Sequence, residues 1–125
     1  MNALCSGIRS CNQTTIDGDA TCTNTDACNY STIKGHAVCE GSGTCSSTNI
    51  TKTASCSGDS ACKFSTLQNG LSTCTGYYTC SWSKMGTNAI YSGTKSCYSS
   101  SVSGDATCVG SVSCIGTLIL GTRYT

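Results

Sequence analysis

The 125-residue chain carries a formal net charge of +1, has only 10% charged residues and no proline, and contains thirteen cysteines. One Trp and one Phe are too few to anchor an ordinary globular core, and so weak a charge gives no electrostatic footprint for nucleic acid or for an anionic membrane. Thirteen cysteines without a CxxC pair, beside a single His, speak against zinc and for structural disulfides made in an oxidising compartment, so a secreted, extracellular protein is expected, with no metal and no cofactor.

Taken in chain order, the cysteines set a seventeen-residue frame. The first coil opens at Cys5 and places Cys11 six positions on; the second repeats this with Cys22 and Cys28, the third with Cys39 and Cys45, and the fourth with Cys56 and Cys62. The fourth coil holds one extra residue between Leu67 and Thr73, after which Cys74 and Cys80 open the fifth. In the sixth, Tyr91 stands in the first cysteine slot and leaves Cys97 over; the seventh restores the pair with Cys108 and Cys114. Six pairs plus one orphan account for the odd total. Bridges between stacked coils are also within disulfide reach, but pairing inside each coil alone identifies Cys97 as the free thiol, and it is the pairing expected here. A period of this length is the mark of a solenoid. Residues 1–125 therefore read as a single all-β domain, a β-solenoid of seven coils starting at residues 5, 22, 39, 56, 74, 91 and 108, with 108–125 as a C-terminal cap.

Counting the first cysteine slot as position one, several columns recur. Position three is Gly7, Asn24, Gly41, Gly58, Gly76, Gly93 and Gly110, which predicts a tight corner in every coil. Position twelve is always aliphatic or Met (Ile16, Ile33, Ile50, Leu67, Met85, Val102, Ile119) and must face inward. Position ten is always Ser or Thr, two residues before it and so on the same face of an extended strand. Position sixteen is Ala in most coils, two before the first cysteine. The inward set describes a flattened tube about 34 Å long with a very thin interior. One Ile-sized anchor contributes roughly 2–3 kcal/mol against an ordering cost of roughly 1–2 kcal/mol per residue. Disulfides and main-chain hydrogen bonds between coils are therefore expected to carry much of the stability.

Catalysis has little to work with: His36 stands alone, the acids are scattered over several columns, and no nucleophile–base arrangement recurs, so no enzyme is expected. The outer residues flanking the first cysteine slot form a more regular pattern: Thr21 and Thr23, Val38 and Glu40, Ser55 and Ser57, Thr73 and Thr75, Ile90 and Ser92, then Thr107 and Val109. Such a face is small, hydroxylic or aliphatic, with one charge. A strand over positions nine to thirteen is expected to display Tyr30, Phe64 and Trp82 with Asp17, Lys34 and Lys84, a rougher surface.

Thr21-Cys22-Thr23 and Thr73-Cys74-Thr75, each with a second cysteine six positions after the first, resemble the Thr-Cys-Thr-x-Ser-x-x-Cys turn of the beetle hyperactive antifreeze proteins. The cysteine spacing matches throughout, the full Thr-Cys-Thr form in two coils; the coil here is longer, and Val38, Glu40, Ile90 and Val109 interrupt the ladder. Moth antifreeze solenoids have longer turns and accept Val and Ile on their Thr-x-Thr face. The resemblance implies a disulfide-laced β-solenoid that adsorbs to ice crystals, with Thr21, Thr23, Ser55, Ser57, Thr73, Thr75, Ser92 and Thr107 as the ice-binding residues; a monomer is the expected form, with association of copies left open. The alternative is a secreted structural protein of an extracellular filament or coat. Asn12, Asn29 and Asn49 begin glycosylation sequons. Val109, Val112, Ile115, Leu118 and Leu120 make the last coil apolar, so end-to-end association is open to it unless Leu118 to Tyr124 fold over as a cap.

Overall fold

The computed structural model describes residues 1–125 and contains no helix. One four-residue strand per coil, placed around the first cysteine slot, builds a parallel sheet from Ala20–Thr23, Ala37–Glu40, Ala54–Ser57, Ser72–Thr75, Ala89–Ser92 and Ala106–Val109. Ala3–Cys5 adds a strand at one edge and Arg123–Tyr124 at the other, which makes eight, in strict chain order. Across the tube a second parallel sheet of seven strands uses two residues per coil, from Thr15–Ile16 to Leu118–Ile119. The registers pair residues one coil apart, Cys22 with Cys39 and Ile33 with Ile50. Where the fourth coil is longer, Ala54 pairs with Ser72, so the extra residue is absorbed in the corner around Gly70 and the ladder stays in step. The chain is thus a β-solenoid of seven coils with a seventeen-residue repeat, lengthened by one residue in the fourth.

Between the two strands of each coil runs an arc closed by the disulfide. All six bridges join partners within one coil, with Cα–Cα distances of 5.8–6.0 Å. The arc has alternating handedness: in the second coil Asn24, Asp26, Cys28 and Tyr30 have φ of 88, 58, 57 and 56°. Its hydrogen bonds alternate too: Asp26 donates forward to Ser42 O, Cys28 back to Ser10 O, and Tyr30 forward to Ser46 O. Left-handed conformation costs a non-glycine residue roughly 1–2 kcal/mol, and here the bridge and the bonds to both neighbouring coils hold it. Of 72 backbone–backbone hydrogen bonds, 46 lie outside the strand ladders and mostly join adjacent coils, so the arcs and corners are stitched as fully as the sheets. At position three, Gly58 and Gly76 have φ of +114 and +131°, and a Cβ on either would stand 2.7 Å from the carbonyl oxygen of the coil before.

The interior holds the expected columns and one more. The position-ten hydroxyls are buried in the second to sixth coils, and each donates to the carbonyl of the second cysteine slot one coil back: Ser31 to Cys11 O, Thr48 to Cys28 O and Ser65 to Cys45 O, all at 2.7 Å. Position six is a further buried column of small residues: Ala27, Thr44, Ala61, Thr79, Ser96 and Ser113. Its hydroxyls tie the corner, with Thr44 donating to Asn24 O and Thr79 to Gly58 O, both at 2.7 Å. Two expectations are corrected. Position nine lies on the arc in left-handed conformation, so Tyr30, Phe64 and Trp82 precede the short strand and are not part of it. Leu118 to Tyr124 do not fold over the last coil; Leu118–Ile119 and Arg123–Tyr124 continue both sheets in register, and Leu118 and Leu120 are exposed.

In the sixth coil Tyr91 fills the place of the missing bridge. It is fully buried, and its hydroxyl has no hydrogen-bond partner. Cys97 is a free, buried thiol, and burial pushes it above the ordinary thiol range, so the reactive thiolate is disfavoured. A thiol reagent is accordingly expected to find no reactive group in the native protein and one per chain after denaturation without reductant. One equivalent reacting before denaturation would contradict the burial.

Candidate functional site

The four-residue strands alternate buried and outward side chains. The buried set is Ala or Ser at position sixteen and Cys or Tyr at position one; the outward set is the flanking pair. All eight candidate residues therefore lie on the outer face of one sheet. Register makes two columns of them: Leu4, Thr21, Val38, Ser55, Thr73, Ile90, Thr107 and Tyr124 form the first. Thr23, Glu40, Ser57, Thr75, Ser92 and Val109 form the second. Neighbours in a column stand about 4.8 Å apart and the columns about 7 Å apart, from strand geometry. A bridge beneath the strand holds its central residue in every coil but the sixth, where buried Tyr91 packs in its place, so the face is a fixed grid. Val38, Glu40, Ile90 and Val109 share that grid as their sequence positions require.

Hydrogen bonding separates the outer hydroxyls from the inner ones. Inside the tube, the hydroxyls of positions six and ten are spent on the neighbouring coil. On the outer face none of Thr21, Thr23, Ser55, Ser57, Thr73, Thr75, Ser92 and Thr107 uses its hydroxyl in a bond to the protein, and each is exposed or half-exposed. The eight are free to bond water. Glu40 is the one charged residue among the outward flanking pairs, and no cation pairs with it; the ion pairs of the chain, Arg9–Asp26 and Lys34–Asp17, lie elsewhere.

The opposite sheet differs. Its strands are two residues long, and its outer surface carries the Asp17–Lys34 pair at 2.8 Å, with the Lys34 ammonium holding the Asp17 carboxyl below its usual range. Gln68 donates to Asn49 there, and Lys84 adds a free charge. Charge and side-chain length vary from coil to coil on that side.

The sequons fare unevenly. Asn29 is buried, its Oδ1 accepting the Ser46 N–H at 2.8 Å and its Nδ2 donating to Asp26 at 3.4 Å, while Asn12 Oδ1 accepts the Asn29 N–H at 2.9 Å. A glycan on Asn29 is incompatible with those contacts. The four groups of three sulfurs lying within 4.8 Å of one another consist of bridged cysteines, which offer no thiolate to a metal. No helix is long and apolar enough to cross a membrane. Comparisons of the chain with protein-family models, with curated proteins and with solved structures give no match.

Proposed function

We propose that the protein is an extracellular ice-binding protein that adsorbs to ice through the outer face of the eight-stranded sheet, acting as a monomer. The observation that carries this reading is the contrast in hydroxyl use: every interior column of Ser and Thr is consumed by the fold, whereas the outer columns are left unbonded on a rigid, nearly uncharged lattice. A β-branched Thr has few rotamers on a strand, so methyl and hydroxyl groups repeat at fixed spacing. Many weak contacts to a solid sum to firm adsorption only when little ordering entropy remains to be lost, a condition favoured by the six bridges and by the in-register hydrogen bonds between coils.

A second reading, a structural protein of a filament or coat, has its support in the seventh coil, where Val109, Ile115, Leu118 and Leu120 are all about half exposed or more. One experiment separates the two: a single ice crystal is grown in a dilute solution of the oxidised protein. Faceting or arrest of growth is expected. Rounded growth accompanied by fibrils would replace the proposal with the second reading.

A further inference from the structure

Five of the eight aromatic side chains crowd onto one stretch of the arc in the fourth to sixth coils. Trp82 is central: Phe64 and Tyr78 stack with it at centroid distances of 5.4 and 5.9 Å, and Tyr98 meets it edge-on at 5.6 Å. Tyr77 meets Tyr78 edge-on at 4.5 Å. Two lysines sit among the rings. Lys63 Nζ lies 4.8 Å from the Trp82 centroid and 5.3 Å from that of Phe64, and Lys95 Nζ lies 4.9 Å from the Tyr78 centroid and donates to its hydroxyl at 2.9 Å. Neither lysine has a carboxylate partner. Phe64, Tyr77 and Trp82 are 57, 46 and 39% exposed.

The fold does not require these rings. Position nine adopts the same left-handed conformation with Gln13, Ser47 or Ser99 as with Phe64 or Trp82. An exposed aromatic cluster on a chain otherwise poor in aromatics marks a contact surface.

We propose that this patch binds an acidic polysaccharide, one bearing uronate or sulfate groups. Pyranose rings present C–H faces that lie against aromatic rings, the two unpaired ammonium groups complement the acidic substituents, and the phenol hydroxyls of Tyr77, Tyr78 and Tyr98 flank the rings to bond sugar hydroxyls. Mutual stacking fixes the rings beforehand, so contact orders little. A single-stranded nucleic acid would stack on the same rings, but its affinity rests on several phosphate contacts, and two lysines on a chain of net charge +1 supply few. The patch and the hydroxyl face lie on different parts of the coil, so either assignment can fail without the other.

The test uses the oxidised protein and the fluorescence of Trp82, its one Trp. Oligogalacturonate, a neutral β-glucan oligomer of equal length and a single-stranded oligonucleotide are titrated separately. The uronate oligomer is expected to shift the emission saturably, and the double variant Lys63→Gln, Lys95→Gln to weaken it about tenfold as the charge attraction is lost. Phe64→Ser, which installs the residue type the third coil already carries, is expected to weaken binding with the strand signal unchanged. No response to the uronate, an equal response to the neutral glucan, or tighter binding of the oligonucleotide would each overturn the assignment.

Discussion

With the proposed ice-binding face, replacing Thr75 by Tyr is expected to abolish most of any thermal hysteresis while leaving the rod folded. Thr75 stands in register between Ser57 and Ser92, is exposed, and makes no side-chain bond to the protein. A phenol ring there stands proud of the sheet and holds its neighbours off a flat solid, so a contact built from many small groups is lost together. We expect the hysteresis to fall to below about a tenth of its starting value, because adsorption depends on simultaneous contacts across a preorganised face. An exposed change of this kind shifts stability by about 0.5 kcal/mol or less. Two companion variants fix the face. Thr32→Tyr, on the short-stranded sheet, is expected to leave hysteresis intact, and Glu40→Thr to raise it, since an unpaired carboxylate loses its hydration when pressed against a neutral lattice. Full activity in Thr75→Tyr together with its loss in Thr32→Tyr would move the site to the opposite sheet.

Reducing the disulfides is expected to unfold the protein at room temperature. Each bridge closes a loop of seven residues, which the loop-entropy relation values at roughly 2 kcal/mol. Six such contributions are as large as the roughly 5–15 kcal/mol by which small domains are stable, and the interior offers one Ile-sized anchor per coil in their place. The bridged cysteines other than Cys11 are buried, so reductant acts on molecules that have opened. Thermal melts followed by far-ultraviolet circular dichroism, with and without reductant, make the comparison. A reduced chain that kept its strand signal at 25 °C would mean that the inter-coil hydrogen bonds suffice alone.

The parallel stack could be read from the sequence because the repeat marks every coil with a position-three corner and an aliphatic residue or Met at fixed offsets, and all but the sixth with a cysteine pair. The orphan status of Cys97 followed from Tyr91. The alternating arc was not legible: a left-handed Trp82 or Tyr78 contradicts local preference, and the neighbouring coils impose it. The buried column from Ala27 to Ser113 escaped for a related reason. Small residues at position six resemble surface Ser and Thr until the arc is known to turn them inward. The folded-over cap failed because apolar Leu118 and Leu120 suggested burial, whereas strand pairing with the coil below determines where that segment lies. Of the aromatic patch, the sequence pattern places only Phe64 and Trp82, on a strand face; Tyr77, Tyr78 and Tyr98 join them only once the arc is known.

The short span of each bridge also bears on how the protein is made. In an unfolded chain, closing a loop to the cysteine six residues away is favoured over reaching one seventeen residues away by about 1 kcal/mol, so the native partner is also the nearest along the chain. Oxidation can thus finish within a coil before that coil has met its neighbours, and few long-range mispairings need to be undone. The sixth coil is the exception, since Tyr91 and Cys97 give it no clasp. Its alignment must come from docking against the coils on either side, through the strand pairing of Ala89–Ser92 with both neighbours.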